Sequence, residues 1–278
     1  VAENAEWIAS PNRLGIFMRV YTNHQRIKNN RRVAQILFFI SLIVLIGGLV
    51  LTNLIPPTST LLLFVPCLVM PIGLGTTWIS VRLTNQFIRE PHPEDAILAG
   101  VKSVGQGSVL YNYLFKSNHV LVSPEGVFTF MTRFQQGPIK VDGIRVKDFR
   151  ANDPLGKIFT YLRQEQLGDI YKLAEVEATE IQLLVSDVAP DVEVSPVVVF
   201  INPRIRIEII EPELPIVVAA ALKHDKRVPT LKSLMREARK QGTLSTDQVE
   251  AIQKRLNQEL AIAETGQEQT ITTEDEEE

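Results

Sequence analysis

The chain has 278 residues, and its Lys+Arg total of 29 against Asp+Glu 32 leaves a formal net charge of −3, which excludes a general polyanion binder. A length of this order suits one modest domain plus an anchor. Cys67 is the single cysteine, so an internal disulfide is excluded, in agreement with a reducing cytoplasm.

Residues 1–17 are less basic than residues 18–32 and show no clear period, and Met18 is a candidate native start. Arg19, Arg26, Lys28, Arg31 and Arg32 then make residues 1–32 read as a basic cytoplasmic segment. From Ala34 to Val81 there is no Asp, Glu, Lys or Arg. The run 33–55 reads VAQILFFISLIVLIGGLVLTNLI. A helix of that length spans roughly 33 Å, enough for a hydrocarbon core of about 30 Å. The run 60–81, TLLLFVPCLVMPIGLGTTWISV, is similarly long. Asn53, Pro56, Pro57, Thr58 and Ser59 punctuate the join, and the prolines stop the first helix. A two-helix transmembrane hairpin, 33–55 and 60–81, is therefore expected, with a kink at Pro66 and Pro71. Arg82 and Arg89 follow the second span while the turn holds no basic residue. The positive-inside rule then places both termini in the cytoplasm and Trp78 at the inner interface. The basic stretch 19–32 offers charges to anionic headgroups, each contributing about 1 kcal/mol near the surface; that it only sets topology is the competing reading.

Beyond the hairpin, Pro91 and Pro93 break the chain and 94–104 has helical spacing through Ile97, Leu98 and Val101. Two β-rich runs, NHVLV (118–122) and VFTFMTR (127–133), flank Ser-Pro-Glu-Gly and predict a hairpin with Glu125 in its turn, pointing to solvent. Residues 140–150 are polar and read as a loop or short edge strand. Leu173, Val176, Ile181 and Leu184 predict a helix over 170–185. VVVFI (197–201) reads as a strand buried on both faces, RIRIEII (204–210) as a strand with one wet face, and 216–222 as another short strand. Pro229 and Thr230 open a helix over 231–240 closed by Gly242. Ser245 with Gln248 forms a capping box that starts another through about 263. The divisions expected are an α/β mixed-sheet domain over 91–222, C-terminal helices over 229–265 and an acidic disordered tail over 266–278.

The stretch Asn118-His-Val-Leu-Val-Ser-Pro124-Glu-Gly126-Val-Phe-Thr-Phe-Met131-Thr-Arg133, followed by PVVVFINP (196–203) and LKSL (231–234), resembles the nuclease-related domain (NERD) family over about 94–260. It looks closest to the subgroup in which two membrane spans precede the domain. The resemblance implies a restriction-endonuclease-like fold. In the family's active pattern an Asp and a Glu hold a divalent metal at the scissile phosphate, and a Lys stabilises charge. Asn118 stands at the Asp position, Met131 at the Glu position and Arg133 at the Lys position. Asn is a weak neutral ligand, a thioether does not suit Mg²⁺, and a guanidinium does not trade protons. The ordinary metal site is thus expected to be absent, with no cofactor. A relocated carboxylate would come from Glu177 or Glu180 on the next helix, against the plainer reading of surface charges. His119 reads as a hydrogen-bonded strand histidine, with a ligand role as the alternative.

These features lead to a catalytically inactive, nuclease-like binding or scaffold module on the cytoplasmic face of a bacterial plasma (inner) membrane. Two alternatives stay open: a structural accessory of a larger membrane complex, and an active metal-dependent nuclease with a relocated acid. The partners expected are the lipid bilayer and other membrane-protein subunits. Nucleic acid is a further candidate, through Lys140, Arg145, Lys147 and Arg150 and through Lys223, Lys226, Arg227 and Arg236.

Overall fold

Among the described residues the first element is a strand, β1 (Arg19–Thr22), inside the segment read as a basic leader to the first span. The computed structural model describes residues 18–56, 59, 61–102, 104, 107–143, 145–148, 169–222, 227–242 and 244–274. β1 runs parallel to β2 (Val109–Asn112), with Tyr21 opposite Tyr111 and their rings stacked at 5.4 Å. A parallel pair needs a long crossover. Here the crossover is the helical hairpin, α1 (His24–Leu54) and α2 (Leu61–Phe87), with α3 (Pro93–Val101) after it. The domain is therefore not confined to 91–222: it takes an edge strand from before the hairpin.

Both long helices exceed their apolar runs. α1 starts at His24 because Asn23 caps it, its side chain accepting from the Arg26 amide at 2.8 Å. α2 passes through Pro66 and Pro71 and ends at Phe87. The two helices meet along a seam that repeats every seven residues, with Ile27, Ala34, Ser41 and Gly48 buried on α1 and Gly73, Ser80 and Phe87 on α2. Small residues at that period let two helices approach closely. A Cβ on Gly48 would collide with Val69, and one on Gly73 with Leu45. Ser80 Oγ also donates to the Ala34 carbonyl across the seam at 2.9 Å. Ser80→Ala is expected to weaken this pairing by about 1 kcal/mol, read as a lower thermal midpoint of the helical signal in detergent. Phe38, Phe39, Ile43, Leu49, Phe64 and Leu68 point outward and are exposed. Both helices are long and apolar enough to cross a membrane.

The expected hairpin is present as β3 (His119–Ser123) and β4 (Gly126–Arg133). Gly126 sits at φ 138°, a conformation that favours glycine. The stretch read as a loop or edge strand is a second hairpin: β5 (Gly137–Asp142) turns at Gly143, φ 54°, into the edge strand β6 (Arg145–Asp148). β7 (Val194–Phe200), β8 (Ile205–Ile210) and β9 (Ile216–Val218) follow. A six-stranded mixed sheet has the order β1-β2-β3-β4-β7-β9, and a three-stranded one the order β6-β5-β8. The small sheet prolongs the parallel β4–β7 pair. Arg133 is opposite Phe200 and Gly137 opposite Ile205, a slip of one residue that bends the ribbon between them.

The later helices are α4 (Ile170–Ser186), α5 (Leu231–Gln241) and α6 (Thr246–Glu274). Strand alternation sorts side chains between two helical layers. Phe128 and Phe130 of β4, with Val197 and Val199 of β7, join Ile97 and Val101 of α3 and Leu231 of α5. On the opposite face, Val127 packs with α4 and α6, while Met131, Val198 and Phe200 pack with the first turns of α4. The architecture is thus α/β in three layers. α4 buries Ile170, Tyr171, Ala174, Ala178, Ile181 and Val185. Leu173 and Val176, expected in its core face, are each 47 % exposed. Thr230 and Ser233 close a capping box at the start of α5, as do Ser245 and Gln248 before α6. α6 continues to Glu274 instead of ending near 263, so most of the expected disordered tail is helical. Residues 275–278 lie outside the described residues.

Candidate functional site

Side chains the sequence had offered to headgroups hold the base of the hairpin: Arg26 ties it to the domain and Arg31 ties its two helices together. Arg26 Nη1 donates to the carbonyls of Tyr113 and Phe115 at 3.0 Å each, and Arg31 Nε to that of Phe87 at 2.6 Å. Arg19 reaches Gln253 Oε1 at 2.6 Å. Ile27, Phe87 and Tyr113 pack together beneath them. Tyr113 holds φ 60°, and its hydroxyl donates to Glu94 at 3.1 Å. Lys28 and Arg32 remain exposed.

Beside this junction the end of β4, the start of α4 and the end of α2 enclose a notch of about 90 Å³. Asn118 enters it just before β3, and Met131, Thr132 and Arg133 close β4 along its wall. α4 brings Leu173 and Glu177. α2 brings Arg82, Asn85 and Gln86. Three of the motif positions thus meet one of the two candidate acids in a single place. Glu180 does not line the notch, but its charge acts on Glu177.

Burial dominates at Glu177 and pushes its carboxyl up to about 7; Arg133 opposes that shift and Glu180 adds to it. Met131 is 3 % exposed and belongs to the apolar cluster under α4 with Ala174 and Tyr171. The motif positions therefore supply an amide, a thioether and a guanidinium, with one carboxylate opposite. Mg²⁺ asks for several hard oxygen ligands, and this donor set does not fit it. Among the described residues no group of three or more His, Cys, Asp or Glu could hold a metal ion.

Glu125 corrects an expectation. It is 9 % exposed instead of facing solvent. The chain after α5 folds over its turn, where the Leu244 amide donates to the Pro124 carbonyl at 2.7 Å, and Glu125 lines a groove with Phe128, Leu234 and Glu237.

His119 is fully buried. Its Nδ1 lies 2.9 Å from Asn112 Oδ1, and the ring stands edge-on to Tyr113 at 4.8 Å. Asn112 Nδ2 donates to Thr22 at 3.1 Å, so the Asn112 oxygen is the acceptor and His119 Nδ1 carries the proton. Burial pushes the imidazole down to about 3. The unfolded chain then takes up this proton first, so stability falls as pH drops from about 6.5 toward 3, by up to about 1.4 kcal/mol per unit. Glu177 works against that slope below neutrality. Chemical denaturation of Glu177→Gln at pH 7 and pH 5 is expected to show a loss of about 2 kcal/mol at the lower pH.

The basic residues do not share one layer. Lys140 pairs in register with Lys147 and with Glu208 on the small sheet. Arg145 lies on the same edge strand. Arg236 is exposed on α5, which packs against α3 and β9. Arg227 precedes α5; Arg150, Lys223 and Lys226 lie outside the described residues.

Arg82, Asn85 and Gln86 were not anticipated as site residues. The available signal was a polar run directly after the uncharged stretch, on a helix with no reason to stop at Val81. No family model, no curated protein and no solved structure matches the chain.

Proposed function

We propose that this protein is a membrane-anchored, non-catalytic binding or scaffold module on the cytoplasmic face of the plasma (inner) membrane, with both termini cytoplasmic. The outward apolar faces of α1 and α2 and the arginines at their base support the anchor and its sidedness. The Pro-x-Gly hairpin on β3 and β4 and the parallel β7 beside it support the nuclease-like reading of the domain.

The observation that carries the non-catalytic reading is the charge of the notch. Arg82 and Arg133 line it together with one carboxyl group, Glu177, whose charge is already disfavoured at neutrality and on which Arg133 acts. Among the described residues, the notch lining holds no second acid for two-carboxylate metal chemistry. Full-length protein in mild detergent, incubated with DNA or RNA and Mg²⁺ or Mn²⁺, is expected to leave the nucleic acid intact. Cleavage that disappears in Glu177→Ala would overturn this reading in favour of a relocated acid.

A second reading, an accessory subunit of a larger membrane complex, is favoured by α4. Leu173, Val176 and Leu183 lie along it and are 47 %, 47 % and 67 % exposed. Their spacing makes one apolar stripe. Recovery from native membranes as a lone monodisperse species would count against this reading.

A further inference from the structure

The notch lacks what a metal needs, yet it gathers what a phosphate group needs. Arg82 comes from the first turn after the uncharged run of α2, and Arg133 from the end of β4. Guanidinium groups suit phosphate oxygens in charge and in geometry. Asn85 adds the observation that asks for an occupant. It is 1 % exposed, and its Oδ1 accepts from Arg89 Nη1 at 2.8 Å, which fixes the amide orientation. Its Nδ2 is buried without an acceptor. A buried donor left unpaired costs about 1–3 kcal/mol, and an oxyanion in the notch would relieve it. A volume of about 90 Å³ admits a phosphate group.

We propose that the notch between α2, β4 and α4 binds a phosphate group, held by Arg82, Arg133 and the amide of Asn85. Glu177 makes the site sensitive to pH. Below neutrality its carboxyl is protonated and donates a hydrogen bond to the phosphate; above, the carboxylate repels it. Among the described residues, the charges acting on it are Arg133 from β4 and Glu180 from its own helix, and Arg82 lines the same notch. β7 brings no ionisable group, and on α6 Arg255 is engaged by Asp187 and Glu259.

Two sources carry the same chemistry, a phospholipid headgroup and free phosphate. The headgroup follows only if the hairpin crosses a membrane, because Arg82 would then stand at headgroup height. The phosphate site itself does not depend on that reading.

The test is calorimetric titration of the full chain in detergent. One probe is inorganic phosphate; the other is phosphatidylglycerol in mixed micelles, with a phosphate-free glycolipid as control. Saturable binding of at least one phosphate probe at pH 6 is expected, weakened about tenfold in Asn85→Leu and in Arg133→Gln, the loss of one charge-assisted hydrogen bond. The phosphodiester does not titrate near neutrality, so it reports Glu177 directly. Its affinity, if it binds, is expected to fall by up to about tenfold per unit above pH 7 and to become flat in Glu177→Gln. Preference for the lipid assigns the headgroup as source, and binding of inorganic phosphate alone assigns a soluble source. Absence of saturable binding to the wild type, or Asn85→Leu binding as tightly as the wild type, overturns the site.

Discussion

Glu177→Gln is expected to raise the unfolding free energy by about 2–3 kcal/mol at pH 8 and to leave it unchanged at pH 4. Burial lifts the folded carboxyl from 4.5 to about 7. Between those values the folded state holds a proton that the unfolded chain releases, so this group opposes folding increasingly as pH rises through the window. Above 7 the full penalty is present; below 4.5 both states are neutral and it vanishes. The amide removes the charge and keeps the shape. Chemical denaturation of both proteins at the two pH values measures the difference. Equal stabilities at pH 8 would mean that Glu177 is solvated or well partnered as a carboxylate, and the pH sensitivity assigned to the notch would go with it. A group that weakens the fold at neutral pH is the kind of local cost that functional sites tolerate.

Phe130→Ala is expected to cost about 3–5 kcal/mol. The ring is fully buried, parallel to Phe128 at 6.3 Å, and belongs to the cluster that joins α3 and α5 to the central strands. Its loss opens a cavity where β4 and β7 meet. Phe38, on the outer face of α1, is 54 % exposed and serves as the contrast. Phe38→Ala is expected to move domain stability by less than about 0.5 kcal/mol. Thermal unfolding followed by near-ultraviolet circular dichroism separates the two.

The sequence carried the local structure well where chemistry is local. Ser123, Pro124 and Gly126 announced the β3–β4 turn, and Ser245 with Gln248 announced α6. Alternation in RIRIEII matched a strand with one wet face, as the exposed Arg206 and Glu208 bear out. It failed where neighbours distant in sequence decide. Nothing in Arg19–Thr22 marks a strand except its partner β2, which lies beyond both long helices. Glu125 looks like a turn residue, and only the return of the chain through Leu244 covers it. On α4, Leu173 and Val176 have the right spacing for a core face. Ala174 and Ala178, small enough to sit against the sheet, occupy that face instead. The candidate site was half legible. Asn118, Met131, Arg133 and Glu177 came from motif and topology, whereas Arg82 and Asn85 required knowing where α2 comes to rest.

The parallel pairing of β1 with β2 has a consequence for biosynthesis. The ribosome delivers the four residues of β1 first, then both long helices, and only afterwards the strand that receives them. Until then β1 has no partner, so the sheet gains this edge only once both long helices have been made. A truncated gene product that begins after the hairpin would leave the outer rim of β2 bare, a template for self-association. Any soluble version of the domain should splice β1 directly ahead of α3.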